Sequence, residues 1–528
     1  MLEESRKYAQ IGVMGASGAV IAWMIWKYML IDDEKLQDKS GQKVPLAKIL
    51  QDESGQKVPL VKVGDGTLLL DDYMAGLNEL ARKSSKTENQ VGYFDYFGMP
   101  IVLLTSPQHV DKAMKENVAH ALWGGLKPAS EAFFGQQVLF VLEGQEWRKL
   151  RGILRRAFTP QKLPNMSSVV TGTADALVKE LLENFNNQIV DMHLACSMYH
   201  LSAISKVAFD YDLDLIATFK DGPGTISESF EFLLSELPRR AFSPDESIRE
   251  DYTSNNPDNE KWKLHASNVR NIIHQVVTKR IGDRKPNQVD LLESMILAYE
   301  SEYGVALDTD VLVAALGDNL VEILFAGYNT AVVTMVTAIQ YLLTTATGWY
   351  QRALEEVDQQ AYQPGVKVSN YPVLNAIINE TLRLVPPAPL IARELSTGFQ
   401  LPNVDLPPGT VAWFPVMHLH TDSNSWGNDA DDFNPARWLQ SSPPCPSGSF
   451  MPFSLGARDC IGKHFATLES VNFLAVVLRN IAFTLPEGFN VKPTFTGFGL
   501  RPLDLNTNKV AMPLLVQKRG IPLSSNNR

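Results

Sequence analysis

Val311–Leu343 constrains the fold most, because it is a mostly apolar run long enough for about nine helical turns at roughly 3.6 residues each. Its length would let it cross a bilayer, but Asp318, Asn319, Glu322 and Asn329 would be costly in lipid. The better reading is one long helix through the middle of a protein core, with Asp308 and Thr309 as capping candidates. Such a helix needs protein on every side. The chain can supply it, with 528 residues, 45% of them hydrophobic and 20% charged. Length alone suggests roughly three domains of about 150 residues, yet no long Gly/Ser- or Pro-rich linker divides the chain after residue 66. One large domain is expected. Tyr93–Leu104, broken by Gly98 and Pro100, predicts a hairpin, and Phe399–Val416 predicts strand, turn, strand. The fold class is therefore mainly α with small peripheral β-sheets.

Lys and Arg total 48 against 59 Asp and Glu, a net charge of −11, which argues against a nucleic-acid partner held by a general basic field. Cys196, Cys445 and Cys460 are too few and too scattered for a disulfide framework, so a reducing compartment is expected and structural zinc is not. Tyr8–Trp26 is nineteen residues without a formal charge, just enough for a membrane anchor. A cleaved signal peptide or a buried helix competes with that reading. The flanking charges nearly cancel and set no orientation. Gln37–Leu50 recurs almost letter for letter as Gln51–Gly64, a polar tandem unit of 14 residues that reads as a duplicated linker or a gene-model error.

The chemistry concentrates in Phe453–Gly462, FSLGARDCIG, just before an apolar helix from about Lys463 to Leu478. Cys460 stands ahead of a helix N-terminus, where backbone N–H groups favour a thiolate fit to bind a metal. Gly456 and Gly462 allow tight turning, Phe453 can shield the sulfur, and Arg458 can meet an anionic group of a cofactor. A lone cysteine is more often a small buried hydrophobe; the surrounding pattern reverses that preference.

This F-x-x-G-x-R-x-C-x-G pattern resembles the haem-binding loop of the cytochrome P450 superfamily, matched at Phe453, Gly456, Arg458, Cys460 and Gly462. The resemblance implies the cytochrome P450 fold, with its long central helix over the haem. It also implies a b-type haem with Cys460 as axial thiolate, whose electron donation favours O–O cleavage. Glu380 and Arg383 lie on one helix face after Pro372, and resemble the family's E-x-x-R pair. Phe433–Trp438 resembles the segment whose arginine, here Arg437, joins that pair in a buried charge cluster. Trp147 and Arg151 resemble the W-x-x-x-R helix and would hold a haem propionate, as would Arg393. Arg148, Lys149, Arg155 and Arg156 make that helix basic, a solvated face or a docking patch for an acidic electron donor. Within the long helix, Ala326-Gly327-Tyr328-Asn329-Thr330 resembles the oxygen-activation motif. There Gly327 would open the backbone beside the ligand, and Thr330 would relay a proton. Asn329 departs from the acid usual there, and an amide cannot carry that proton.

The chain is expected to divide into a membrane anchor (1–31), a linker with the repeat (32–66), a haem-thiolate catalytic domain (67–518) and a polar tail (519–528), with the resemblance covering roughly Tyr93–Lys518. That resemblance implies a monooxygenase that takes O2 and electrons from an NADPH-cytochrome reductase, with cytochrome b5 as a further donor. The setting implied is the endoplasmic reticulum membrane with the domain in the cytosol, although a plastid or mitochondrial membrane fits the same features. Pocket segments would be Pro107–Gly135, Phe209–Ala241, Phe325, Ala326, Leu390, Ile391 and Phe498–Leu500; their Phe, Leu and Ile content favours a lipophilic small-molecule substrate. The alternatives are a peroxide-using isomerase or peroxygenase of the same fold, and a non-catalytic, membrane-anchored haem-binding protein.

Overall fold

The computed structural model describes residues 61–520 apart from 66–72, 88, 97–98, 117–125, 157, 159–161, 223, 242–251, 253, 285–289, 304–308, 361–364, 366, 402–403, 443 and 497–498. The anchor, the first copy of the repeat and most of the polar tail lie outside the described residues.

The fold is mainly helical with small sheets. The helices that build the site are α1 (Gly144–Arg155), α2 (Leu163–Asn184), α3 (Met192–Phe209), α4 (Thr225–Ala241), α5 (Pro257–Gly282), α6 (Thr309–Thr344), α7 (Pro372–Leu384) and α8 (Lys463–Asn480). The long helix α6 packs against α3, α5, α7 and α8. Its stretch Leu316–Thr344 is apolar and long enough to cross a membrane, but 78% of its most apolar window is buried inside the protein. It is the central core helix. Helix α3 is buried on nearly every face because α2, α6 and the strand before it enclose it. Asp191 caps its start by accepting from His193 N–H at 2.9 Å, and Asp210 ends it in the left-handed region at φ 51°. Pro372 opens α7, where its missing N–H costs nothing, and Val385-Pro386 follows its last residue.

The largest sheet runs β1 (Val61–Asp65), β2 (Val91–Tyr96), β3 (Met99–Leu104), β5 (Thr410–Phe414), β4 (Ile391–Leu395). The expected hairpin is β2–β3, closed with Tyr96 opposite Met99. The Phe399–Val416 region holds a short hairpin, Phe399–Leu401 with Val404–Leu406, and then β5, which leaves it for the large sheet. Val61–Asp65, at the end of the expected linker, is a sheet strand running parallel to β2.

Helix α6 also anchors the chain ahead of α1. Glu322 accepts N–H bonds from Leu139 at 3.0 Å and Phe140 at 2.6 Å, and Asn319 donates to the Gln137 carbonyl at 3.0 Å. Burial pushes the Glu322 carboxyl up to about 7, against the pull of those two N–H groups. With its folded value above the unfolded one, its stabilising contribution is full below about pH 4.5 and is lost as pH rises through about 7. Urea unfolding across that window should show wild type losing about 3 kcal/mol that Glu322→Gln does not lose. Parallel pH profiles for the two proteins would contradict this.

Candidate active site

Helices α6, α7 and α8 and the loop before α8 enclose a cavity of ≈ 310 Å³. Ala326, Thr330, Ala331 and Thr334 line it from α6, Ile378 and Leu382 from α7, and Ile391 and Arg393 from β4. Phe453, Arg458 and Cys460 of the loop face them, beside Thr467 and Ser470 of α8. The open surface of Cys460 faces inward, since protein encloses the group on almost all sides. Its N–H donates to the Phe453 carbonyl at 2.8 Å, and the Gly462 N–H donates to its thiol. Burial raises the thiol above its ordinary value and Asp459 adds to the rise, while Gly462 N–H, Arg151 and Lys463 oppose it. Desolvation opposes ionisation of the sulfur, and the Gly462 N–H at the helix start favours it. A metal cation in the cavity would supply the missing positive charge. Gly456, at φ +75°, is required by its position, since a methyl there would overlap the Met114 carbonyl.

Two buried guanidinium groups stand on the cavity wall. Arg458 stacks on Trp147, 4.3 Å from the ring centroid, donates to the Leu142 carbonyl at 3.0 Å and pairs with Glu143. Arg393 donates to Ser454 Oγ at 3.2 Å and to the Ala392 carbonyl at 2.9 Å. Burial, and then the charge of Arg458, push Arg393 down to about 10. A sulfur, two cations and apolar walls fit a flat apolar cofactor that carries a metal and carboxylates, as haem does. Trp147 and Arg151, expected at a propionate, do not line this cavity. Arg151 donates to the Asp459 carbonyl at 2.7 Å and pairs with the Asp459 carboxylate. An anion one residue before the cysteine lies within its reach, so Arg151 braces the loop from outside.

On α6, Thr330 lines the cavity, and its hydroxyl donates back to the Ala326 carbonyl at 3.0 Å. Asn329 is turned away: its amide donates to the Leu500 carbonyl at 3.4 Å, tying α6 to β6 (Leu500–Asp504). Gly327 makes room for His200, since a Cβ would lie 2.8 Å from His200 Nε2. Phe325, expected in a substrate pocket, packs among Phe133 and Phe134 at 5.1 and 5.0 Å in the aromatic core.

The family model for cytochrome P450 matches residues 66–508. The chain belongs to the cytochrome P450 family. It is 25% identical over 466 residues to Cytochrome P450 72A11 of Arabidopsis thaliana, covering 85% of this chain and 86% of that one. It is 27% identical over 380 residues to Cytochrome P450 714B2 of Oryza sativa subsp. japonica, covering 70% and 67%. It is 26% identical over 400 residues to a cytokinin hydroxylase of Arabidopsis thaliana, covering 71% and 73%. As a cytochrome P450 it is a monooxygenase-type oxidoreductase of a haem-thiolate family.

In this cytochrome P450, Glu380, Arg383 and Arg437 form one buried cluster behind the cavity. Glu380 accepts from Arg383 Nε at 2.9 Å and Nη2 at 2.8 Å, from Arg437 Nε at 3.3 Å, from Asn434 N–H at 2.9 Å and from Trp438 Nε1 at 2.8 Å. Sequence reasoning missed His420, which connects this cluster to the cysteine loop. Its Nδ1 donates to the Arg383 carbonyl at 3.0 Å, and its Nε2 accepts from Met451 N–H at 2.9 Å. Burial drives it down to about 3, so it is neutral with a fixed tautomer. Also missed were Glu143 and Asp459, the carboxylates beside Arg458 and Arg151; only their nearness to the motifs could have flagged them. Glu380→Gln leaves two buried cations short of a charge and should cost about 3–5 kcal/mol in chemical unfolding. A loss below about 1 kcal/mol, the level of an exposed ion pair, would contradict burial of the cluster.

Proposed function

We propose that the chain inserts one oxygen atom of O2 into a lipophilic small molecule, with electrons from an NADPH-dependent reductase. The observation that carries this is one cavity whose lining includes Cys460, Thr330, Arg393 and Arg458. A b-type haem held there would supply the iron at which dioxygen is activated. Cys460 would hold its iron through the sulfur, with Gly456 and Gly462 shaping the loop around it. Arg393 and Arg458 would hold its carboxylates, with Trp147 carrying Arg458 and Arg151 fixing Asp459. Ala326, small and on the cavity wall, leaves space beside the reacting atoms, and Phe453 keeps water from the sulfur. Thr330 would hold a proton at Oγ1 and pass it toward the reacting oxygen. Glu380, Arg383 and Arg437 position the loop and do no chemistry.

The apolar side chains Ile378, Leu382 and Ile391 support a lipophilic ligand in the cavity. The cytokinin hydroxylase relative supports hydroxylation as the reaction type. The basic exposed residues Arg148, Lys149, Arg155 and Arg156 of α1 and the turn after it support docking of an acidic electron donor, an NADPH-cytochrome reductase with cytochrome b5 as an auxiliary. The uncharged Tyr8–Trp26 run supports an anchor at the endoplasmic reticulum membrane. A second reading, a peroxide-using peroxygenase or isomerase, is favoured by Asn329 in place of an acid.

Labelled dioxygen separates the two. With reductase and NADPH, product should carry one labelled oxygen atom per molecule, and Thr330→Ala should divert oxygen to peroxide and cut product about tenfold or more. Product formed from peroxide alone, with no label taken from dioxygen, would favour the second reading.

A further inference from the structure

The chain between the helix Leu126–Phe134 and α1 is gripped by two charged groups, and only one of them lines the cavity. Glu322 of α6 takes the Leu139 N–H on one carboxylate oxygen at 3.0 Å and the Phe140 N–H on the other at 2.6 Å. Arg458, which does line the cavity, donates to the Leu142 carbonyl at 3.0 Å and to the Leu139 carbonyl at 3.4 Å. The Leu139 carbonyl and the Phe140 N–H are the two ends of one peptide group, and in a trans peptide they point in opposite directions. A single peptide plane therefore lies between a carboxylate at its positive end and a guanidinium at its negative end. The Val138 carbonyl accepts from the Val141 N–H at 3.2 Å and the Leu142 N–H at 2.9 Å, so both grips act on one closed turn.

Anchoring a loop needs no charge, as Asn319 shows three residues earlier on the same helix: its neutral amide holds the Gln137 carbonyl at 3.0 Å. Glu322 is a buried carboxyl, and confining its ionised form there pushes it up to about 7. What the charge adds is strength. An ionised acceptor makes hydrogen bonds about twice as strong as a neutral one, and it polarises the peptide it holds, so that the carbonyl at the other end accepts more strongly. At that other end is the cation that faces the cavity. Glu143 pairs with the same guanidinium and the Trp147 ring lies beneath it, 4.3 Å from centroid to carbon. Among the described residues no side-chain charge contributes to the shift of Glu322, which burial raises and the two N–H groups lower. Of the charged groups around it, Asp318 on α6 pairs with Arg270 of α5 at 2.6 Å, Arg270 also holds the Phe133 carbonyl at 2.9 Å, Glu131 lies on that same short helix, and Glu143 and Arg458 lie across the turn.

We propose that Glu322 is a positioning residue for Arg458: through the Val138–Leu142 turn it sets where the guanidinium meets a carboxylate of the bound cofactor, and so ties the grip on that cofactor to α6. The proposal rests on the haem reading above. Above about pH 7 the carboxylate holds both N–H groups with a full charge; below it, protonation turns one oxygen into a hydroxyl, a weaker acceptor. The grip on Arg458 therefore tightens as pH rises through about 7. That trend is opposite in sign to the contribution Glu322 makes to folding, which is lost over the same window because its folded value lies above its unfolded one. A carboxyl that served folding alone would give only the second trend.

The test follows transfer of haem from the haem-loaded, full-length protein to an excess of a haem-scavenging apoglobin, across about pH 6 to 8. It compares wild type, Glu322→Gln, Arg458→Lys and the double variant. Glu322→Gln turns an amide donor toward one of the two N–H groups, and above about pH 7 it should release haem about tenfold faster than wild type. Relative to that variant, wild type should release haem more slowly as pH rises through about 7. Because Glu322 acts through Arg458, adding Glu322→Gln to Arg458→Lys should change the rate less than about twofold. If Arg458→Lys does not retain haem, Asn319→Ala takes its place: it removes the neutral anchor of the same stretch and should keep the pH step that Glu322→Gln abolishes. A wild type whose release has no such step, or that releases haem faster as pH rises in parallel with its loss of folding stability, would overturn the proposal. Equal acceleration by Glu322→Gln in both Arg458 backgrounds would overturn it too. Wild type without a thiolate-type carbon monoxide spectrum would instead overturn the haem reading on which it rests.

Discussion

The Glu380 carboxylate has both its oxygens buried at 0% exposure and filled by two arginines, a backbone N–H and an indole. An uncompensated charge at such depth costs several kcal/mol, so each partner is held in place by the cost of its absence. Arg383 spends its remaining donors on the carbonyls of His420, Ala430 and Asp432, and Arg437 reaches Trp426 and Asp429. One carboxylate on α7 thereby gathers a stretch of short helical turns and the loops between them. His420 then carries the constraint to Met451, two residues before Phe453. The position of the cysteine loop follows from a charge cluster that has no chemistry of its own.

The opposite wall is fixed by a different constraint. Helix α6 is buried along most of its length, so each polar group on it needs a partner, and each partner it finds ties down another element. Glu322 and Asn319 hold the chain before α1, Tyr328 reaches Glu231 on α4, and Asn329 reaches β6. Among the described residues Thr330 bonds within its own helix, to the Ala326 carbonyl, and it lines the cavity. The loop wall and the helix wall differ in character: one carries guanidinium groups and a sulfur, the other small side chains and a hydroxyl. A flat group with carboxylates at its edge and a metal at its centre fits that asymmetry.

Much of this was legible where the chemistry is local in sequence. The long helix declared itself by its length and by polar residues too costly for lipid, and its observed limits, Thr309–Thr344, lie within two residues of the reading. Glu380 and Arg383 were legible because a three-residue spacing brings side chains together on any helix. The cysteine loop was legible because ten consecutive residues carry its pattern. Contacts between distant segments were not. His200 and Glu469 are 269 residues apart, and Arg151 and Asp459 are 308 apart, and neither pair leaves a periodicity to read. The Asp459 partner of Arg151 could not be read from the sequence for that reason. Sequence shows that a glycine is present at Gly327 but not that His200 is the neighbour packed against it. The strand at Val61–Asp65 was missed because a duplicated polar unit hides two valines that suit a sheet edge.

The central claim is that this cavity holds haem through the Cys460 sulfur. The most direct measurement is the carbon monoxide difference spectrum of the dithionite-reduced, haem-loaded protein, taken for wild type and for Cys460→Ser. Wild type should show the strongly red-shifted Soret band of a thiolate-ligated haem, and Cys460→Ser should lose it. A wild-type band at the position of histidine-ligated haem, or a red-shifted band that survives Cys460→Ser, would contradict the account.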